Sequence, residues 1–81
     1  MSESMPIPEM EFVYETSGNY AAHIEYQGRT WRAELATHSL RYSRANVIAG
    51  CFNLEIPPDT IAVYMERVYR WYLDHGGEKT R

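Results

Sequence analysis

The chain has 81 residues, 44% of them hydrophobic and 14% aromatic, with a net charge of -3 at pH 7. That length gives one domain, the hydrophobic share excludes a disordered chain, and the acidic balance disfavours binding driven by the nucleic-acid phosphate backbone. A single cysteine, Cys51, rules out an intramolecular disulfide and fits a reducing cytoplasm.

The opening residues lack the basic start and apolar run of a signal peptide, and no apolar stretch is long enough to span a membrane. Residues 1–9 read as a tail, because Pro6 and Pro8 block regular structure. Residues 10–76 read as the single domain, and 77–81 as a second tail.

From residue 10 the apolar positions alternate. Met10, Phe12 and Tyr14 form one series; Tyr20, Ala22, Ile24 and Tyr26 form the next; Trp31, Ala33 and Leu35 form a third after one change of parity. Period two predicts three half-buried strands, over 10–15, 19–27 and 30–36. The first turn is a three-residue loop, Thr16-Ser17-Gly18, with glycine at the left-handed position. The second is read as a type II′ turn with Gly28-Arg29 at its centre.

Those turns set a register. The first places Tyr14 opposite Tyr20, Phe12 opposite Ala22 and Met10 opposite Ile24. The second places Tyr26 opposite Trp31, Ile24 opposite Ala33 and Ala22 opposite Leu35. Apolar meets apolar in both, as a one-sided core requires. On the other face Glu25 falls opposite Arg32, and His23 falls between Glu11 and Glu34.

The period then changes to that of a helix ending at Asn53. Ser39 or Ser43 is the N-cap, and Ser43 is preferred because it keeps Arg41 off the apolar face. Ala45, Ile48 and Phe52 form that face, with Val47 and Cys51 beside it. Pro57 and Pro58 break the connector. A second helix runs over 59–75 and stops at Gly76-Gly77.

The second helix carries a polar stripe of Glu66, Arg67, Arg70 and Asp74. Its apolar arc covers about half the circumference, wider than the roughly 100° that a core-facing stripe needs. Ile61, Met65, Val68 and Tyr72 sit at the centre of the arc. Tyr64 and Trp71 lie on one edge, Tyr69 and Leu73 on the other, and a three-stranded sheet is too small to cover both. The fold predicted is α+β: a three-stranded antiparallel β-meander with two α-helices packed on one face, in the order β-β-β-α-α.

Candidate sites follow from composition. Exposed aromatics beside arginine have the make-up of a binding hot spot, which points to Tyr64, Arg67 and Trp71; the alternative is that the first helix covers them. Residues 1–28 contain five glutamates and no lysine or arginine, so Glu11, Glu15 and Glu25 form an acidic sheet face. Glu11, His23 and Glu34 could hold a metal or pass a proton, but an open sheet face lacks the convergent ligands a metal needs, and charge pairing is the simpler account. Cys51, on an apolar helix face without a nucleophile signature near His38 or His75, reads as a buried inert thiol. None of the glycines opens a helix after a strand, which excludes a phosphate loop. No cofactor is implied, and the chain reads as non-enzymatic.

Tyr42-Ser43-Arg44-Ala45 opens a helix after three strands. Over residues 11–53 this resembles the second half of a double-stranded RNA-binding domain, and Arg29, Arg41 and Arg44 would be the nucleic-acid contacts that the resemblance implies. That family has lysines at this helix start and a helix before its first strand, both missing here, so the RNA-reading surface is mostly absent. Truncated versions of the fold, as in HicB-type antitoxins, serve protein contacts.

In size and composition the chain also resembles the small inhibitors of phage and mobile elements, including anti-CRISPR proteins. That resemblance implies a cytoplasmic protein that sterically blocks a host protein or nucleoprotein complex. The excess apolar arc of the last helix further allows a homodimer through that helix.

Overall fold

The computed structural model describes residues 10–75. In chain order the elements are β1 (Met10–Tyr14), β2 (Tyr20–Tyr26), β3 (Arg29–Leu35), α1 (Leu40–Asn53) and α2 (Pro58–Asp74). The strands form one antiparallel sheet in the order β1-β2-β3, followed by the two helices, which is the α+β arrangement that the periodicity predicts. The two tails and the Gly76-Gly77 stop lie outside the described residues.

The core lies between one sheet face and the helices. Met10, Ala22, Ile24, Ala33 and Leu35 meet Val47 and Cys51 of α1 and Tyr64, Val68, Trp71 and Tyr72 of α2. Ala22 pairs with Ala33 at the middle of the sheet, so the smallest side chains stand where the largest helix residues must fit. Tyr64 is the largest fully buried side chain. Burying each large apolar side chain contributes about 1.5–3 kcal/mol, which a domain this small needs.

The first hairpin forms as its sequence predicts. Met10 pairs with Ile24, Phe12 with Ala22 and Tyr14 with Tyr20. The Gly18 N–H donates to the Glu15 carbonyl at 2.8 Å, with Gly18 left-handed at φ +91°.

The second hairpin differs from the expectation. Its central residues are Gln27 (φ +51°) and Gly28 (φ +79°), not Gly28 and Arg29. Two left-handed residues in succession make a type I′ turn, whose twist matches that of the strands. The pairing is therefore offset by two residues: Tyr26 pairs with Arg29, Ile24 with Trp31, Ala22 with Ala33 and Tyr20 with Leu35. A shift of two preserves which face is buried and changes every neighbour. His23 consequently stands opposite Arg32, and Glu25 opposite Thr30.

Helix α1 departs most from its sequence. The N-cap is Ser39, whose Oγ accepts from the Tyr42 N–H at 3.1 Å. Ser43 is instead fully buried; its Oγ accepts from the Ala36 N–H at 2.7 Å and lies 3.0 Å from the Ala36 carbonyl. The buried side is Ser43, Val47, Gly50 and Cys51. The face predicted to be core points outward: Ala45 and Phe52 are exposed and Ile48 is half-buried. The cause is close approach. A Cβ on Gly50 would stand 2.3 Å from Cδ1 of Trp31, so the helix lies directly on that indole.

Past its end, α1 closes in a Schellman motif. The Glu55 N–H donates to the Phe52 carbonyl at 3.1 Å and the Ile56 N–H to the Cys51 carbonyl at 2.9 Å. Glu55 takes the left-handed position at φ +60°, where glycine is usual.

Helix α2 begins with Pro58, whose fixed φ suits the first helical position. Its predicted polar stripe of Glu66, Arg67, Arg70 and Asp74 is exposed. Its core centre is turned by one row: Tyr64, Val68, Trp71 and Tyr72 are buried, while Ile61 and Met65 are half-buried. The sheet and α1 therefore cover the Tyr64 and Trp71 edge, leaving Tyr69 and Leu73 exposed at 42% and 39%.

Candidate functional site: the outer sheet face

No described element covers the sheet face opposite the helices, because both helices bury the other one. Alternation places Glu11 and Val13 of β1 there, with Ala21, His23 and Glu25 of β2 and Thr30, Arg32 and Glu34 of β3. Glu15, just past β1, joins them.

Glu15 organises this face. It accepts from Nε of Arg32 at 2.8 Å through Oε2 and from Nη2 through Oε1, a two-point contact matched to the guanidinium fork. Nε2 of His23 lies 3.4 Å from the same carboxylate. The Arg32 hydrogen bonds, aided by His23, lower the Glu15 pKa to about 2, although partial burial opposes the shift. Arg32 is held in its charged form by the same contact, and its Nη2 lies 3.9 Å from Glu34. Glu34 also accepts from the Tyr42 hydroxyl at 3.0 Å.

Two expectations are corrected. Glu25 does not pair with Arg32, because the hairpin register gives Arg32 to His23 and Glu15. His23 is not held between Glu11 and Glu34: Glu11 is its register partner, but the carboxylate that reaches the imidazole is Glu15. No group of three or more metal-ligating side chains occurs among the described residues. Glu11 and Glu25 are exposed and make no ion pair with a described residue, whereas Glu15 is already engaged. Ala21, at the centre of the face, is fully buried beneath its neighbours.

Tyr64 and Trp71 are not surface anchors. Tyr64 is 0% exposed and Trp71 4%. The Trp71 indole stacks on Phe12 (5.9 Å between ring centres) and on His75 (5.1 Å), and meets the edge of Tyr20 (5.4 Å). Nδ1–H of His75 donates to the Trp71 carbonyl at 2.8 Å, closing the end of α2 over this cluster. The indole Nε1 is buried and has no acceptor among the described residues. Phe12 and Tyr20 were legible as inward strand residues; the missing signal was that they reach the last turn of α2. Arg67 remains exposed.

The three candidate nucleic-acid contacts are not brought together. Arg29 donates from Nη2 to the Asn53 carbonyl at 2.6 Å and so serves the C-terminal end of α1. Arg41 and Arg44 are exposed near the opposite end of that helix. At 1.5 Å per residue, Arg41 and Asn53 are about 18 Å apart along the axis.

A cleft of about 620 Å³ lies between the first turn and the start of α1, lined by Asn19, Tyr20, Glu34, His38, Ser39 and Tyr42 among others. Its polar groups are largely engaged in the fold: Ser39 caps the helix, and Tyr42 holds Glu34. Cys51 is buried, and burial pushes its thiol up to about 11, so it is protonated and unreactive at neutral pH.

No family model matches the chain, and no curated protein or solved structure shows a significant similarity to it.

Proposed function

We propose that this domain is a non-enzymatic protein-binding module, of the small-inhibitor kind typified by anti-CRISPR proteins, that uses its outer sheet face to occupy a basic surface on a host protein or nucleoprotein complex. The observation that carries this reading is the charge of that face. It holds four carboxylates (Glu11, Glu15, Glu25 and Glu34) against one guanidinium, Arg32, and no described element covers it. The Glu15–Arg32 contact fixes the centre, and Glu11 and Glu25 are exposed and make no ion pair with a described residue. A rigid acidic surface of this kind speeds association with a basic partner and loses that advantage in salt. Tyr64 and Trp71 lie in the core and contribute nothing to this surface, and Arg67 stands on α2, which packs against the other sheet face.

A cytoplasmic site of action accords with the single buried thiol. No helix among the described residues is long and apolar enough to cross a membrane. The competing nucleic-acid reading would rest on Arg41 and Arg44 alone, since Arg29 is engaged.

A tagged pull-down from bacterial lysate, with and without nuclease, tests the proposal. Capture of a protein that survives nuclease, and that Glu11→Lys with Glu25→Lys abolishes while Arg41→Ala with Arg44→Ala does not, is the expected result. Recovery of RNA alone, or a partner lost on nuclease treatment, would replace it with the nucleic-acid reading.

A further inference from the structure

The outward side of α1 runs Arg41, Ala45, Ile48, Phe52, with Ala49 beside it. Phe52 is 69% exposed, the most exposed large apolar side chain among the described residues, and Ala45 and Ala49 are exposed with it. Spacings of four, three and four make this one row on the helix. The alanines keep the row shallow, so another helix can approach at an axis distance near 8 Å.

The charges at its two ends are set against the helix itself. The first turn has no acidic residue and carries Arg41, and Arg44 follows, where the helix dipole disfavours cations. The last turn has no basic residue of its own, and Glu55 stands exposed just past it, where the dipole disfavours anions. Glu55 also occupies a left-handed conformation that glycine would adopt without strain. Arg29 serves one carbonyl at this end, but neither Arg41, Arg44 nor Glu55 makes an ion pair with a described residue.

A charge pattern unfavourable within one helix is favourable against an antiparallel copy. We infer that α1 is the seam of a symmetric homodimer. A two-fold axis passes between Ile48 and Ala49, Ala45 faces Phe52 of the second copy, and Arg41, which falls opposite residue 56, stands within one residue of its Glu55. The row is self-complementary because cation and anion stand at opposite ends of an apolar centre, which a two-fold contact requires. A second copy therefore satisfies both ends with a single surface. If the seam takes about a tenth of the 5360 Å² surface of each copy, roughly 500 Å² apiece, it lies at the low end of specific interfaces, and a weak dimer that forms only well above low micromolar concentration is expected. This inference uses the side of the domain opposite the proposed acidic face and stands or falls separately from it.

Sedimentation velocity on the full chain, from about 10 μM to 1 mM, tests the seam by charge exchange. Wild type should dimerise with rising concentration, less readily in salt. Arg41→Glu alone places carboxylate against carboxylate at both ends, and Glu55→Arg alone places guanidinium against guanidinium. Each should weaken dimerisation at least about tenfold while circular dichroism stays native, since both positions are exposed. Mixing the two variants in equal amounts should restore a dimer, because each end of the mixed pair then matches. Glu11→Lys with Glu25→Lys should leave dimerisation unchanged. A wild type that remains monomeric at 1 mM overturns the inference. So do single variants that dimerise like wild type, or a mixture that stays monomeric. A dimer lost on Tyr69→Ala with Leu73→Ala but indifferent to the α1 charges would move the seam to α2, and would equally overturn it.

Discussion

The two helices select their buried faces by different rules. Helix α2 buries aromatic bulk: Tyr64, Trp71 and Tyr72 enter the core, and the polar stripe stays in water. Helix α1 buries smallness: Ser43, Gly50 and Cys51 go inward with Val47, and Phe52 is left outside. The difference follows from what lies beneath. Under α2 the sheet offers alanines at the Ala22–Ala33 pair and an aromatic socket from Phe12 and Tyr20. Under α1 it offers Trp31, and only a helix face without bulk can lie on an indole. Hydrophobicity ranks candidate faces; complementarity of volume chooses between them.

Several substitutions would break or sharpen that contrast. The largest effect belongs to the socket of α2. Trp71→Ala should cost about 3–5 kcal/mol, because the cavity is framed by Phe12, Tyr20 and the backbone and closes poorly. Chemical denaturation reads this directly, and a loss below about 1 kcal/mol would mean that the indole is not buried as described. At the start of α1, Ser39→Ala removes the cap acceptor and should cost about 1 kcal/mol, with Ser43→Ala at least as costly because it takes the buried hydroxyl from the half-buried Ala36 N–H. At the end of α1 the sign reverses. Glu55→Gly should stabilise the monomer by about 1 kcal/mol in thermal melts, because glycine takes the left-handed position freely; a destabilised variant would contradict the strain assigned to Glu55.

The smallest effect is electrostatic and lies on the outer sheet face. Glu15 has a folded pKa near 2, below the ordinary value of 4.5. A depressed carboxylate contributes stability that is fully present above about pH 4.5 and is lost as the pH falls toward 2. The contact is close to solvent and the loss should be modest. Glu15→Gln should remove that modest contribution at neutral pH, flatten the acid limb of a stability profile between those values and leave stability near pH 2 almost unchanged; an unaltered limb would show that the Arg32 contact does not hold the carboxylate ionised.

How far the sequence could be read depended on whether period or volume decided the outcome. Alternation alone located the three strands, the buried face of the sheet and the first hairpin register. It could not separate turns at Gln27-Gly28 and Gly28-Arg29, since the two registers differ by two residues and bury the same side chains. The cost fell on the outer face, where Arg32 moved from Glu25 to Glu15 and His23. The excess of apolar surface on α2 was legible, and one edge is indeed exposed, at Tyr69 and Leu73 rather than at Tyr64 and Trp71. Nothing in the periodicity of α1 favours Gly50 over Phe52 as a core residue, because the fit to Trp31 is a tertiary fact. That the row of Ala45, Ile48 and Phe52 points outward was hidden for the same reason.

The most direct test of this account is a pair of denaturation curves, taken at low micromolar concentration so that self-association does not contribute. Phe52→Ala deletes a whole phenyl ring from α1, and Gly50→Ala adds a single methyl group. The account predicts that deleting the ring costs less than about 0.5 kcal/mol, while adding the methyl costs about 1–3 kcal/mol through its collision with Trp31. A costly Phe52→Ala with a neutral Gly50→Ala would contradict it, and would return Ala45, Ile48 and Phe52 to the core.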